Sequence, residues 1–240
     1  MKAPTCNIVL TLSTHSPFIV NDESTYQQLF EQRMQALGFT EAQKEEHRLY
    51  KNQYASIMYM DNAVRNFING YAARADFSNT IFLITGDHRM PEIPMSTKID
   101  RYHVPLIIYS PLLKESKIFG AMSTHFDITP SLLALFKHQY NIKVPTVANW
   151  MGEGLDTGAT FRNIHSYPLM QTKNDIVDFV MDEHMLHGDD LFKISNNMGL
   201  DPVNEDTEKA KLQAAFARFK QKNDKVLKGT LMLPDSLLIK

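Results

Sequence analysis

The chain has 240 residues, of which 43% are hydrophobic and 22% are charged, and its formal net charge is −2. This is an ordinary globular composition, and the near balance of charge argues against a protein that a basic surface holds on nucleic acid. The single cysteine, Cys6, excludes an intrachain disulfide and a cysteine-rich metal site. No apolar run reaches the length needed to cross a bilayer, and Ile8–Leu12 is too short for the core of a signal peptide.

The first predicted element is a strand over residues 6–12, because the run CNIVLTL is aliphatic and rich in β-branched side chains. It leads into Ser13-Thr-His-Ser-Pro-Phe18, which puts His15 just past the end of a strand. Two interpretations of His15 stay open from the residues alone. It faces a functional edge of the sheet, or it caps a turn.

A short helix is predicted around residues 27–36, and a long one from Thr40, where Thr40-Glu-Ala-Gln43 has the form of a capping box. Apolar residues at spacings of three and four indicate that the long helix packs against a sheet: Tyr50, Tyr54, Ile57, Val64, Ile68 and Tyr71. Asp61 falls on the same stripe. Because an unpaired buried carboxylate is costly, Asp61 is expected to have a structural hydrogen bond in preference to a metal role.

The central motif is Thr80-Ile-Phe-Leu-Ile-Thr-Gly-Asp-His88. Its apolar run, Thr80–Ile84, predicts a strand that is buried on both faces and ends in a carboxylate beside an imidazole. Open α/β sheets place their sites at this end of a strand, and Asp with neutral His suits a divalent cation such as zinc or manganese. The alternative is a solvated loop. A strand, a helix and a second strand in succession predict a βαβ unit and a parallel sheet.

Beyond His88 the chain is predicted to form a loop up to Arg101 and then a strand over residues 104–109. Thr129 and Pro130 have the form of a helix start. His125 and Asp127 precede that start, and they either serve a site or, as we favour, hold the loop.

The C-terminal part reads as mainly helical. Residues 140–164 are predicted to be irregular, and amphipathic helices are predicted over residues 174–186 and 205–227. The tail from residue 229 to 240 is predicted to pack along the domain.

Five segments occur in the order and spacing of a known family: Leu10–Phe18, Tyr59–Asp61, Thr80–His88, Tyr102–Tyr109 and Phe126–Leu133. Together they resemble the sulfatase-like catalytic domain of the lipoteichoic acid synthase and phosphoglycerol transferase group, within the alkaline phosphatase superfamily. Trp150–Leu155 and the lysine-rich final helix extend the resemblance. It implies an α/β fold, a three-layer sandwich around a mostly parallel sheet, with a core over about residues 1–140 and a helical extension over about residues 141–240.

The resemblance also implies a chemistry. Such enzymes transfer or hydrolyse phosphate or sulfate esters through a threonine or serine (formylglycine in true sulfatases) held on a divalent cation. Carried over by motif, Asp87 and His88 are expected to be metal ligands, and His15 is expected to contact the substrate phosphate. Manganese is the expected ion, with zinc, magnesium and calcium as alternatives. His103 and His125 receive no role.

One departure from the family pattern is important. The family nucleophile and an acidic metal ligand precede the Thr-His-Ser-Pro-Phe segment, but the fourteen residues before His15 contain neither. The sequence therefore predicts the C-terminal portion of one sulfatase-like domain, inactive alone, with the missing N-terminal half as its partner.

By the same resemblance the substrate is a phosphate or sulfate ester of a lipid headgroup or glycan, and the location is the cell envelope. Two alternatives remain open. One is a fragment without catalytic activity that keeps the fold and part of the metal site, and the other is an arylsulfatase or phosphoethanolamine transferase.

Overall fold

The computed structural model describes residues 5–145, 151–170 and 175–229. The chain divides into two compact units. The first comprises the residues up to Met95 together with Arg101–Glu115, and the second comprises Ser96–Asp100 together with Ser116 onwards. The predicted packing of the tail falls on residues outside the described ranges, apart from Gly229. Within those ranges, no helix is both long and apolar enough to span a membrane.

Three helices build most of the first unit: α1 (Glu23–Ala36), α2 (Glu41–Arg48) and α3 (Lys51–Tyr71). The capping box predicted at Thr40 is confirmed, since Gln43 N–H donates to Thr40 Oγ1 at 3.3 Å and Thr40 N–H donates to Gln43 Oε1 at 2.9 Å. The single long helix predicted from this cap is wrong, because the chain leaves the helix at Leu49 and Tyr50 and starts α3 afresh.

Aromatic side chains join α3 to α1. Phe30 of α1 is buried and stacks on Tyr54 of α3 with a centroid separation of 5.2 Å, and Tyr26 meets Tyr59 edge-on at 5.2 Å. The predicted apolar stripe therefore packs partly against a helix. Asp61 is exposed and pairs with Arg65 at 3.0 Å, so its predicted burial is wrong, although its partner is a structural one.

A two-stranded sheet completes the first unit. β1 (Phe82–Thr85) and β2 (Leu106–Tyr109) run antiparallel, with Phe82 opposite Tyr109 and Thr85 opposite Leu106. On one face, Phe82 of β1 meets Tyr71 of α3 at 5.2 Å, although Ile107 and Tyr109 of β2 on this face are exposed. The opposite face, with Leu83 and Ile108, is exposed. The expected burial of β1 on both faces is therefore wrong.

The strand predicted over residues 6–12 is absent, and the aliphatic side chains of Ile8–Leu12 are exposed. A strand is stable only beside another strand, and this segment has no such neighbour in the described part of the chain.

The second unit is built on a five-stranded antiparallel sheet in the order β3-β4-β5-β6-β7. A short 3₁₀ helix, His125–Asp127, leads into α4 (Ile128–Tyr140), two residues before the predicted start at Thr129 and Pro130. The strands and the last helix follow: β3 (Ser166–Met170), β4 (Ile176–Met181), β5 (His184–His187), β6 (Asp190–Ser195), β7 (Gly199–Pro202) and α5 (Asp206–Leu227).

The helix predicted over residues 174–186 is wrong, because β4 and β5 form a hairpin there that turns at Asp182, whose φ is 52°. The final helix is confirmed within one residue. The expected C-terminal helical extension is thus a sheet with one helix packed on it. The mixture of helices and strands agrees with an α/β fold, but both described sheets are antiparallel, so the mostly parallel three-layer sandwich is not seen in them.

Apolar side chains cover both faces of the five-stranded sheet. On one face, Phe179 stacks on Phe216 of α5 with a centroid separation of 5.0 Å, and three more buried leucines join them: Leu186, Leu191 and Leu212. On the other face, Ile99 packs on Val180, Met185 and Ile194. This two-sided burial explains why β4 contains apolar residues that also fit a helical period.

One buried carboxylate makes a side-chain contact between two neighbouring strands of this sheet. Asp178 of β4 lies opposite His187 of β5, its side chain is fully buried, and its Oδ1 contacts His187 Nδ1. Since a buried polar group needs a hydrogen-bond partner, the contact with His187 stabilises the hairpin.

We therefore expect His187→Ala to lower the free energy of unfolding by about 3 kcal/mol, because it leaves the Asp178 carboxylate buried without this partner. Urea unfolding followed by circular dichroism measures the change. The exposed His138→Ala is the control and should change stability by less than about 0.5 kcal/mol. Equal stabilities of the two variants would contradict the assignment.

Candidate metal centre

The end of β1 is fixed before the motif begins. Thr85 Oγ1 donates to the carbonyl oxygen of Pro105 at 2.8 Å, which ties the end of β1 to the start of β2. The chain then passes through Gly86. A Cβ at this position would lie 3.2 Å from the His88 carbonyl oxygen and 3.3 Å from Val104 Cγ1, so glycine permits the close approach.

Asp87 and His88 follow directly, and both side chains are exposed. Asp87 Oδ1 accepts the backbone N–H of His88 at 3.0 Å, and His88 Nδ1 lies 2.7 Å from the carbonyl oxygen of Arg89. Because a carbonyl oxygen only accepts, Nδ1 carries a proton and donates it there. In a neutral ring, Nε2 then carries the lone pair, and it lies 3.8 Å from Asp87 Oδ2.

These two atoms fit a shared cation. Metal-bound nitrogen lies about 2.0–2.1 Å and carboxylate oxygen about 2.0–2.2 Å from zinc, so two such ligands of one ion are separated by at most about 4.3 Å, when they lie on opposite sides of it. The Nε2–Oδ2 separation of 3.8 Å is within that limit. A histidine whose other ring nitrogen donates to a carbonyl is also the usual form of a metal ligand. Among the residues that the structure describes, no group of three or more His, Cys, Asp or Glu side chains converges on one point. The pair thus offers two donors.

The loop after the site is held by a residue that the sequence gave no role. Arg89 folds back on its own loop, where Nη2 donates to the carbonyl oxygens of Ile93 and Pro94. The backbone of Arg89 also contacts the site, because its carbonyl oxygen accepts the hydrogen bond from His88 Nδ1. Arg89 therefore positions the loop that orients the imidazole. Only the three-dimensional contact reveals this, since an arginine beside Asp-His reads equally well as a solvated charge.

His15 lies in a tight turn of the same unit. Its backbone N–H donates to Leu12 O at 3.0 Å, and its Nδ1 lies 2.8 Å from Ser16 O, so Nε2 is again the free nitrogen. Phe18, three residues on, is buried and anchors the turn. In the part of the chain that the structure describes, no hydrogen bond or ion pair joins His15 to Asp87 or His88. His103 and His125, to which the sequence assigns no role, are both exposed.

Asp127 is buried at the start of α4, and its carboxylate accepts hydrogen bonds from three segments. The donors are the backbone N–H of Thr124 at 2.8 Å, of Glu153 at 3.0 Å and of Gly154 at 3.2 Å, and the hydroxyls of Thr124 and Tyr167. Asp127 therefore holds the loops together, which is the interpretation that the sequence favoured.

Electrostatics agree with this role. Burial acts to raise the pKa of Asp127, but the hydrogen bond from Tyr167 and those from the backbone outweigh burial and lower the pKa below 3.8. Burial and the neighbouring Asp127 raise the pKa of the Tyr167 hydroxyl, so that it stays protonated and donates. Asp127 is thus an ionised structural carboxylate.

We expect Asp127→Asn to lower the free energy of unfolding at pH 7 by about 3 kcal/mol, because the amide gives up one acceptor oxygen among five donors. The folded pKa is depressed, so the ionised form stabilises the protein fully above about pH 5 and loses this effect as pH falls through the folded pKa. The gap between the native chain and the variant should therefore shrink in acid. Urea unfolding at several pH values measures it, and a gap that grows on acidification would contradict the assignment.

Comparison with known proteins identifies the class. The sulfatase family model matches residues 2–138, more than half of the chain, and the match contains His15, Asp87 and His88. The chain belongs to the sulfatase family. Phosphopentomutase from Caldanaerobacter subterraneus subsp. tengcongensis is 31% identical to it over 85 residues, which is 30% of this chain and 22% of that protein.

The chain therefore aligns with less than a quarter of the length of this curated relative. Both matches fall in the alkaline phosphatase superfamily, which confirms the resemblance at that level. No solved structure matches the chain.

Proposed function

We propose that the chain is part of a metal-dependent sulfatase-family enzyme that transfers or hydrolyses phosphate esters, of the phosphoglycerol transferase and lipoteichoic acid synthase type. One observation carries the proposal. Within the family-matched region, β1 leads into a carboxylate and an imidazole whose Oδ2 and Nε2 atoms are 3.8 Å apart. The relative named for a phosphopentose favours phosphate over sulfate.

Asp87 Oδ2 and His88 Nε2 would hold the cation, with manganese as the expected ion and zinc, magnesium or calcium as alternatives. When bound, a divalent ion lowers the pKa of a nucleophile and neutralises charge on the ester oxygens. The chain's own residues prepare the site. The Arg89 carbonyl fixes the tautomer of His88. His15 would donate from Nε2 to a phosphate oxygen in its doubly protonated form, because Nδ1 already donates to Ser16 O.

No residue of this chain is assigned as the nucleophile. By family resemblance, the nucleophile and a further acidic ligand come from an upstream segment of the same domain, and that segment would complete a three-layer sandwich around a parallel sheet. The whole enzyme would act at the cell envelope on the ester of a lipid headgroup or glycan. An arylsulfatase or phosphoethanolamine transferase activity is the alternative within the superfamily.

A second candidate is a fragment that keeps the fold and binds metal without turnover. The convergence of only two donor side chains in the described part of the chain favours it. To separate the candidates, this chain is joined to the proposed upstream segment, and the joined domain is assayed on phosphate and sulfate esters in parallel. Turnover of neither ester would support the fragment.

We expect the 240-residue chain to bind Mn²⁺ in isothermal titration calorimetry, and Asp87→Ala/His88→Ala to weaken this binding at least about tenfold, because it removes both donors. The matched control, Asp201→Ala/His138→Ala, removes an exposed aspartate and histidine elsewhere and should bind as the native chain does. If the Asp87/His88 variant binds as tightly as the control, the proposed metal centre is wrong.

In the joined domain, we expect His15→Ala to lower kcat/KM for a phosphate ester at least about tenfold, because a hydrogen bond to a charged oxygen is worth about 1.5–3 kcal/mol. Mn²⁺ affinity should stay unchanged. The matched control is His103→Ala, which should alter neither quantity. A loss of metal affinity in His15→Ala would show that His15 is a ligand.

A further inference from the structure

The connection between β1 and β2 is long for two antiparallel neighbours. It spans residues 86–105, whereas such strands are usually joined by about two to five residues. Its two ends are tied together, since Thr85 Oγ1 donates to Pro105 O at 2.8 Å, and Asp87 and His88 lie near its start. Because ordering each residue of a loop costs conformational entropy, a connection of this length keeps one shape only where contacts hold it at several points.

Arg89 shapes the part of the connection that contains the metal pair. Its carbonyl oxygen accepts from His88 Nδ1 at 2.7 Å. Its side-chain Nη2 donates to the carbonyl oxygens of Ile93 and Pro94. The imidazole, the guanidinium and the chain up to Pro94 therefore form one hydrogen-bonded loop, whose position depends on where the following residues are held.

The following residues are held in the second unit, of which Ser96–Asp100 is a part. Ile99 is 1% exposed and packs on three buried residues of the five-stranded sheet: Val180, Met185 and Ile194. Thr97 Oγ1 donates to the carbonyl oxygen of Met198 at 2.8 Å. The second unit thus fixes the middle of the β1–β2 connection.

Hydrogen bonds to Asp100 hold this segment in one conformation. Its Oδ2 accepts the backbone N–H of Ser96 at 3.2 Å and of Thr97 at 3.3 Å, and it also accepts the Ser96 hydroxyl. Because the segment is held in this way, the burial of Ile99 also restrains the chain on its N-terminal side, which leads back to the metal pair.

We infer that Ile99 is a positioning residue for the metal centre. Its burial in the second unit restrains the connection that carries Asp87 and His88, and it acts through the continuous chain between them. The inference rests on the proposed function. It also gives a part in metal binding to the five-stranded sheet, whose strands lie within residues 166–202, beyond the family match at residues 2–138.

The test compares Ile99→Ala with Ile194→Ala in the full chain. Ile194 is 2% exposed in the same cluster, so both substitutions remove the same atoms from one core and should lower stability alike. Only Ile99→Ala should weaken Mn²⁺ binding in isothermal titration calorimetry, by about threefold to thirtyfold, as for a residue that acts through a network of contacts. Circular dichroism defines a temperature at which both variants are folded.

A milder variant, Thr97→Val, covers the case in which Ile99→Ala fails to fold. It keeps the shape of the side chain and removes the hydroxyl that donates to Met198. It should weaken Mn²⁺ binding about twofold, since one hydrogen bond of the anchored segment is lost.

The ring of His88 provides a readout that needs no metal. In ¹H–¹⁵N NMR spectra of the neutral ring, the native chain and Ile194→Ala should show the proton on Nδ1, because this nitrogen donates to the Arg89 carbonyl. Ile99→Ala should show a mixture of the two tautomers, because the loop that orients the ring is no longer restrained.

Equal Mn²⁺ affinities and equal His88 spectra for Ile99→Ala and Ile194→Ala would overturn the inference and leave the metal centre in place. If the native chain binds no Mn²⁺, the proposed function fails instead. The His88 spectra then decide by themselves whether Ile99 positions the imidazole.

Discussion

The close packing around Gly86 is the constraint on which the candidate site depends. A Cβ at Gly86 would lie 3.3 Å from Val104 Cγ1 and 3.2 Å from the carbonyl oxygen of His88. This close passage follows the hydrogen bond that ties Thr85 to Pro105. It delivers Asp87 and His88 next to each other, with both donor atoms in solvent and one ring nitrogen committed to a backbone carbonyl. The rest of the first unit supports this end of β1, since α3 packs against β1 through aromatic side chains.

In the second unit, buried carboxylates connect segments of the chain through hydrogen bonds. Asp127 gathers the start of α4, the loop at Glu153 and the strand β3 into one hydrogen-bonded centre, and Asp178 joins β4 to β5 through His187. Burying each carboxylate costs free energy, and the hydrogen-bond donors around it offset that cost. Both centres are built from hydrogen bonds among residues of this unit, and they account for Asp127, which the sequence analysis assigned to holding the loop.

Local signals in the sequence predicted part of this structure well. The capping box at Thr40, the strands around Phe82 and Leu106 and the final helix were predictable because caps and apolar periods act over a few residues. The Asp87-His88 motif was recognisable in the sequence as a candidate metal-ligand pair, but its geometry was not predictable, since the tautomer of His88 depends on a contact with Arg89. The hairpin of β4 and β5 was missed because Ile176, Val177, Phe179 and Val180 fit both a helical stripe and a strand buried on two faces. Residues 6–12 were predicted as a strand from their composition, yet a strand also requires a neighbour.

Anomalous diffraction at the manganese edge, from crystals grown with Mn²⁺, tests the proposed metal centre most directly. We expect one anomalous peak between Asp87 Oδ2 and His88 Nε2, within bonding distance of each atom, at the end of β1. A peak at another carboxylate, such as Glu153 or Asp156, with none at His88 would contradict the assignment of the metal centre and remove the main support for an ester-processing enzyme.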